Sequence, residues 1–144
     1  MSLGTEQQAL VDALAAEYAA VYAYGVIAAF SNPQRAQLIA TAAAAHRARR
    51  NSTIDALVAA DVDAPPAAPA YAPPFPVNDP IPAAQFAIAV ENDCAVAWRS
   101  LIERAQSEAT RKTGIDALTE TSVRLANWKQ LLGTTPSTVP FPGS

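Results

Sequence analysis

The sequence is poor in the residues from which most recognisable sites are built. It has one cysteine, Cys94, and one histidine, His46. A lone cysteine makes no internal disulfide and no cysteine-pair zinc site, and it suits a reducing compartment. A lone histidine leaves a single candidate base for a nucleophilic triad, without an obvious serine partner. Five glycines in 144 residues form neither a glycine-rich phosphate loop nor a serine-centred hydrolase turn. Aromatics make up 7% of the chain, and with glycine scarce and alanine abundant the composition favours closely packed helices over a sheet. Charged residues are 16%, with a net charge of −3, which argues against nucleic acid as a partner. The most apolar run, Tyr18 to Phe30, has 13 residues, short of the roughly 20 that a membrane-spanning helix needs. Met1 to Thr5 has neither a charged nor an apolar signal region, so the expectation is a cytoplasmic protein without a membrane partner.

Proline is present but unevenly placed. Eight of the 12 lie between Asp61 and Pro82, leaving a long region free to be helical on either side. The first helix is expected from about Thr5, as N-cap, to Phe30, with Leu10, Leu14, Glu17, Val21, Tyr24 and Ala28 on one face. Ser31-Asn32-Pro33 breaks it and restarts a second helix over Pro33 to Ala60, with Ile39, Ala43, His46, Arg50, Ile54 and Leu57 facing inward. The segment 61–82 is extended and stiff; about 20 residues at about 3.1 Å each reach about 60 Å, more than the roughly 40 Å of such a helix. It can therefore cross the whole bundle, anchored by Tyr71 and Phe75. A third helix starts near Asp79 and runs to about Gln106, with Ala84, Ile88, Glu91, Ala95, Trp98, Ile102 and Ala105 as its stripe. A fourth follows Ser107 to Thr110 and stops at Gly133, with Leu118, Thr121, Leu125, Trp128 and Leu132 inward and Gly114 weakening its first turns. A tail over 134–144 sets Phe141 against the outside or an end of the bundle. The whole chain, 1–144, reads as one all-α domain.

Three ionisable residues break the apolar stripes: Glu17, His46 and Glu91. Each falls near the middle of its helix, so the bundle should bring them to one layer. Arg50, one turn from His46, is the expected partner of the carboxylates, and Glu120 with Arg124 forms a possible i,i+4 pair on the flank. Tyr18, Tyr22 and Tyr24 are candidates for a ligand pocket, although aromatic residues at this spacing are more often packing residues. Trp98 and Trp128 read as core, and Cys94 as a buried, inert thiol.

Two helical hairpins joined by one long crossover is the connectivity of the ferritin-like four-helix bundle. More narrowly, the stretch Glu17-Tyr18-Ala19-Ala20-Val21-Tyr22-Ala23-Tyr24-Gly25-Val26, the stretch Ala45-His46-Arg47-Ala48-Arg49-Arg50 and the segment Tyr71 to Pro80 resemble an uncharacterised Ala-rich ferritin-like family of actinobacteria. That resemblance implies a fold and no particular activity. Metal-binding proteins of this architecture carry a Glu on two helices and a Glu-x-x-His pair on the other two. Glu17, Glu91 and His46 match three of these positions. Ala43 stands at the second-helix carboxylate, and the fourth helix has no histidine.

The expected function is therefore a structural or interaction protein without catalysis or cofactor, self-associating as a homodimer, with ion pairs in place of a metal centre. One alternative is a single iron, manganese or zinc ion on Glu17, His46 and Glu91, with redox or oxygen chemistry. A second is a small-molecule binder at the tyrosines.

Overall fold

The computed structural model describes residues 2–144; Met1, the first residue of the expected domain, lies outside them. Four helices follow one another: α1 (Thr5–Phe30), α2 (Ala36–Ala59), α3 (Pro80–Arg104) and α4 (Glu108–Leu131). No strand occurs among the described residues, and the chain is an all-α four-helix bundle.

The helix ends follow local chemistry, with two corrections. Thr5 is the first helical residue of α1, and Gly4 holds the cap position without a side-chain bond. Asn32 caps a single 3₁₀ turn at Pro33–Arg35, accepting from the Gln34 N–H at 3.0 Å, so α2 begins at Ala36. Asp79 caps α3 by accepting from Ile81 N–H at 3.2 Å, with Pro80 at the first helical position. Ser107 does the same for α4 from Thr110 N–H at 3.1 Å. Gly133, at φ +69°, ends α4. Its N–H donates to Gln130 O at 3.1 Å and that of Thr134 to Lys129 O at 2.8 Å, the paired bonds of a Schellman stop.

Contacts along the helices fix their directions. Glu17 meets Trp98 while Tyr24 meets Glu91, so α1 and α3 are antiparallel. His46 meets Glu91 while Arg49 lies over Trp98, so α2 and α3 run the same way. The crossover therefore has to traverse the bundle. It is tied down by Tyr18 Oη donating to Pro65 O at 2.8 Å, by Tyr71 against Tyr22 with ring centroids 5.8 Å apart, and by Phe75 against Phe86 at 6.4 Å.

Helix phase departs from expectation in places. On α1 the buried face is Leu10, Leu14, Glu17, Ala20, Ala23, Tyr24 and Ile27; Val21 is half-buried and Ala28 exposed. On α2 it is Ile39, Ala42, His46, Thr53 and Leu57, which turns Arg49 inward in place of Arg50. By length and composition alone α1 is apolar enough to cross a membrane, with mean hydropathy 1.5 over 18 residues, counter to the expectation from its 13-residue run. Alanines on both sides of Glu17 raise that mean, yet in the bundle this helix buries Glu17 among polar partners. Phe141 is exposed, and it is Pro142 and Gly143 that meet α3: Arg99 donates to Pro142 O, and a Cβ on Gly143 would clash with the Ala95 carbonyl oxygen.

Gly114 has a packing role as well as a propensity cost. It is buried, and a Cβ there would come 2.7 Å from Ile102 Cγ1. The missing side chain lets α4 close onto α3. Gly114→Val is expected to destabilise the fold by about 1–3 kcal/mol through overpacking; chemical denaturation that finds it as stable as the parent contradicts this close approach.

Candidate functional site

An ionised carboxylate in a helix stripe needs a partner, and the mid-points of the helices supply partners to one another. Glu17 comes from α1, His46 from α2, Glu91 from α3 and Arg124 from α4. The side chains of Glu17, His46 and Glu91 are 0% exposed. His46 Nδ1 lies 2.6 Å from Glu17 Oε2, and His46 Nε2 lies 2.9 Å from Glu91 Oε2. Both ring nitrogens face carboxylate oxygens, and only the imidazolium donates from both.

Each carboxylate has further donors. Trp98 Nε1 donates to Glu17 Oε1 at 2.9 Å. Glu91 accepts from Tyr24 Oη at 2.6 Å and from Arg124 Nε at 3.1 Å. Tyr24 Oη in turn accepts from Trp128 Nε1 at 3.0 Å, and Thr121 Oγ1 accepts from Arg124 Nη2 at 3.2 Å. The Tyr24 ring stacks on the imidazole with centroids 5.3 Å apart, which favours its charged form. Glu17 and Glu91 are thus balanced by His46 and Arg124. Among the described residues no buried side-chain nitrogen or oxygen lacks a partner.

Burial alone would strip the proton from His46, but hydrogen bonds to Glu17 and Glu91 and their charges outweigh it and lift His46 to about 9. Burial works against the Glu91 carboxylate as well; the His46 hydrogen bond and charge, helped by Arg124 and Tyr24, hold it below its ordinary value. Tyr24 is pushed up by burial and by Glu91, so its phenol stays protonated. Burial, with the charges of Glu17 and Glu91, also raises the Cys94 thiol. Cys94 Sγ donates to Ala16 O at 3.6 Å, and a thiol kept protonated is a poor nucleophile.

The structure brings Glu17, His46 and Glu91 into one layer and distributes the other candidate residues differently. Arg50 turns away and donates from Nε to neutral Asn51 Oδ1 at 3.0 Å. Arg124 holds the place beside Glu91 that Arg50 was expected to take. Glu120 does not pair with Arg124; it is solvent-exposed and accepts from Arg49 Nη2 at 2.9 Å. Such a pair contributes little, about 0–1 kcal/mol. Arg49 also lies 5.9 Å from the Trp98 ring, covering the layer between α2 and α4. The tyrosines separate: Tyr24 belongs to the layer, whereas Tyr18 and Tyr22 line a shallow groove with Tyr71 under the crossover. Reading Trp98 and Trp128 as core missed their part in the layer, although an indole N–H inside a stripe signals a buried acceptor.

Compared with known proteins, residues 9–144 match the family model described as Domain of unknown function (DUF4439). The chain belongs to this family. It is also similar to the crystal structure of a conserved hypothetical protein, rv2844, from Mycobacterium tuberculosis, at 41% identity and a TM-score of 0.88, covering 96% of this chain and 97% of that one. No curated protein matches the chain.

In this DUF4439 chain the layer does not fit a two-metal centre. The α4 positions hold Thr121 and Arg124, and a guanidinium beside Glu91 repels a cation. Among the described residues, Glu17, His46 and Cys94 are the one group of three whose ligand-type atoms all lie within 4.8 Å of one another. Both Glu17 oxygens are already held, by Trp98 and by His46.

The raised His46 contributes stability that is fully present below about pH 6.5 and is lost as pH rises through about 9. Glu91 acts in the opposite sense, contributing above its ordinary 4.5 and losing that contribution in more acid solution. Unfolding free energy measured from pH 6 to 10 is expected to fall by about 3 kcal/mol, most of it between about 6.5 and 9. A flat profile across that interval contradicts a charged His46.

Proposed function

We propose that this protein is a ferritin-like bundle without catalytic or cofactor chemistry of its own, acting as a structural or interaction protein that pairs with a second copy of itself. The observation that carries this reading is the closed account of the buried layer: two carboxylates, one imidazolium and one guanidinium, every polar atom satisfied and the three central side chains sealed from solvent. A reactive centre needs an open position for substrate or ion, and in this layer protein groups fill the positions around Glu17 and Glu91.

The outer face of α4 supports self-association. From Ile115 through Leu118, Ser122 and Val123 to Asn127 it carries no charge, and it adjoins Val139 of the tail around a groove of about 430 Å³. Ile115 is 48% and Val123 56% exposed. Two copies meeting there bring no like charges together. A second reading, a single iron, manganese or zinc ion, keeps Glu17 and His46 of the expected set but has Cys94 in place of Glu91 as the third grouped ligand.

Light scattering and elemental analysis on the same chromatographic fractions, purified without chelator and after anaerobic loading with Fe(II), Mn(II) or Zn(II), test both readings. The expected result is twice the chain mass at micromolar concentration, reduced to one chain by Val123→Glu, without stoichiometric metal. A monomeric parent overturns the self-association; near-stoichiometric metal that Glu17→Gln loses overturns the ion-pair layer.

A further inference from the structure

Outside the layer, one face of the bundle combines room, cations and a glycine that nothing else in the fold explains. A groove of about 630 Å³ runs between α1 and α2, floored by Gly25, Ala28, Ala40 and Ala43 and edged by Arg47. A second, of about 460 Å³, holds Tyr18, Tyr22 and Tyr71 and is edged by Arg50. Val21 lines both, so the two adjoin. Each volume falls in the range of about 300–1,000 Å³ typical of small-molecule sites.

The charges at the junction are lopsided. Arg47 and Arg50 are three residues apart on α2 and share one side of that helix. Neither lies within ion-pair distance of a carboxylate among the described residues; Arg35, Arg104, Arg111 and Lys129 share that property, but only Arg47 and Arg50 edge these grooves, and Arg49 between them is committed to Glu120. In a chain of net charge −3, two cations without an acid at the meeting of two apolar grooves suit an anionic group from outside.

Gly25 is an independent observation. A glycine in the interior of a helix is destabilising relative to alanine. At Gly114 and Gly143 close neighbours account for the missing side chain; a Cβ on Gly25 would meet nothing within 4 Å. Nothing inside the chain requires glycine there, and the space it leaves is part of the larger groove.

We propose that this face binds a single-chain amphiphile with an anionic head, the carboxylate or phosphate on Arg47 and Arg50 and the aliphatic chain along the Gly25 groove. The groove reaches the buried layer only at Tyr24, a side chain with no exposure, and is separate from the α4 face, so failure of the proposal leaves the reading of either untouched. Calorimetric titration with decanoate, decyl phosphate and decanol, all below their aggregation limits, tests it and separates the two kinds of head. Decanoate or decyl phosphate is expected to bind one per chain, at least about tenfold more tightly than decanol. Arg47→Gln with Arg50→Gln should bring the anions down to the affinity of decanol. Gly25→Leu, which fills open space, should weaken all three probes at least about tenfold with the melting temperature kept or raised. Decanol binding as tightly as the anions, no binding of any probe, or Gly25→Leu at full affinity overturns the proposal. So does a dimer that Gly25→Leu dissociates, since a second copy then covers the groove.

Discussion

His46 lies between two carboxylates, all three side chains sealed from solvent, and the arrangement of the helices follows from keeping those charges together. Removing one partner from a buried pair costs about 3–5 kcal/mol, because the charge left behind has no water to turn to. Each helix contributes one member, so sliding any helix by a turn separates a charge from its partner. Alanine-rich faces are permissive: many registers pack small side chains about equally well. The layer supplies the discrimination that the alanines lack, with Trp98, Tyr24 and Trp128 filling the space around it and bonding into it.

The same constraint explains how the molecule is divided. Polar groups inside are used up on one another, and reactivity falls with that: Cys94 is buried and protonated, and His46 gives both N–H bonds to carboxylates. The two surfaces proposed for recognition lie outside the layer, on the uncharged side of α4 and on the grooved side of α1 and α2. These faces are lined by different helices, so a second copy and an amphiphile need not compete.

Much of this was legible in the sequence. The proline-dense segment and the Asn32 and Asp79 signals mark four helices and one crossover, and the mid-helix positions of Glu17, His46 and Glu91 point to a shared layer. Phase was harder. On α2 the series Ile39, Ala43, His46, Arg50 and the series Ile39, Ala42, His46, Arg49 both obey helical spacing, and with alanine at 42 and 43 no large side chain decides between them. The first series turns Arg50 inward, whereas in the fold it is Arg49. On α4 the short Glu120–Arg124 spacing suggests a local pair, whereas desolvated Glu91 offers Arg124 a stronger partner than exposed Glu120 does. Gly114 looks like a weak helix start until Ile102 of the neighbouring helix is known to press on it. The groove at Gly25 has no sequence signal at all, since it depends on how far apart two helices sit.

The buried layer holds together only if His46 is an imidazolium at neutral pH, hydrogen-bonded on both sides. Nitrogen-15 NMR of the single histidine at pH 7 tests it directly. Two protonated ring nitrogens are expected, with the proton lost only as pH passes about 9. A neutral ring at pH 7, with one nitrogen free to accept or to bind an ion, would contradict it.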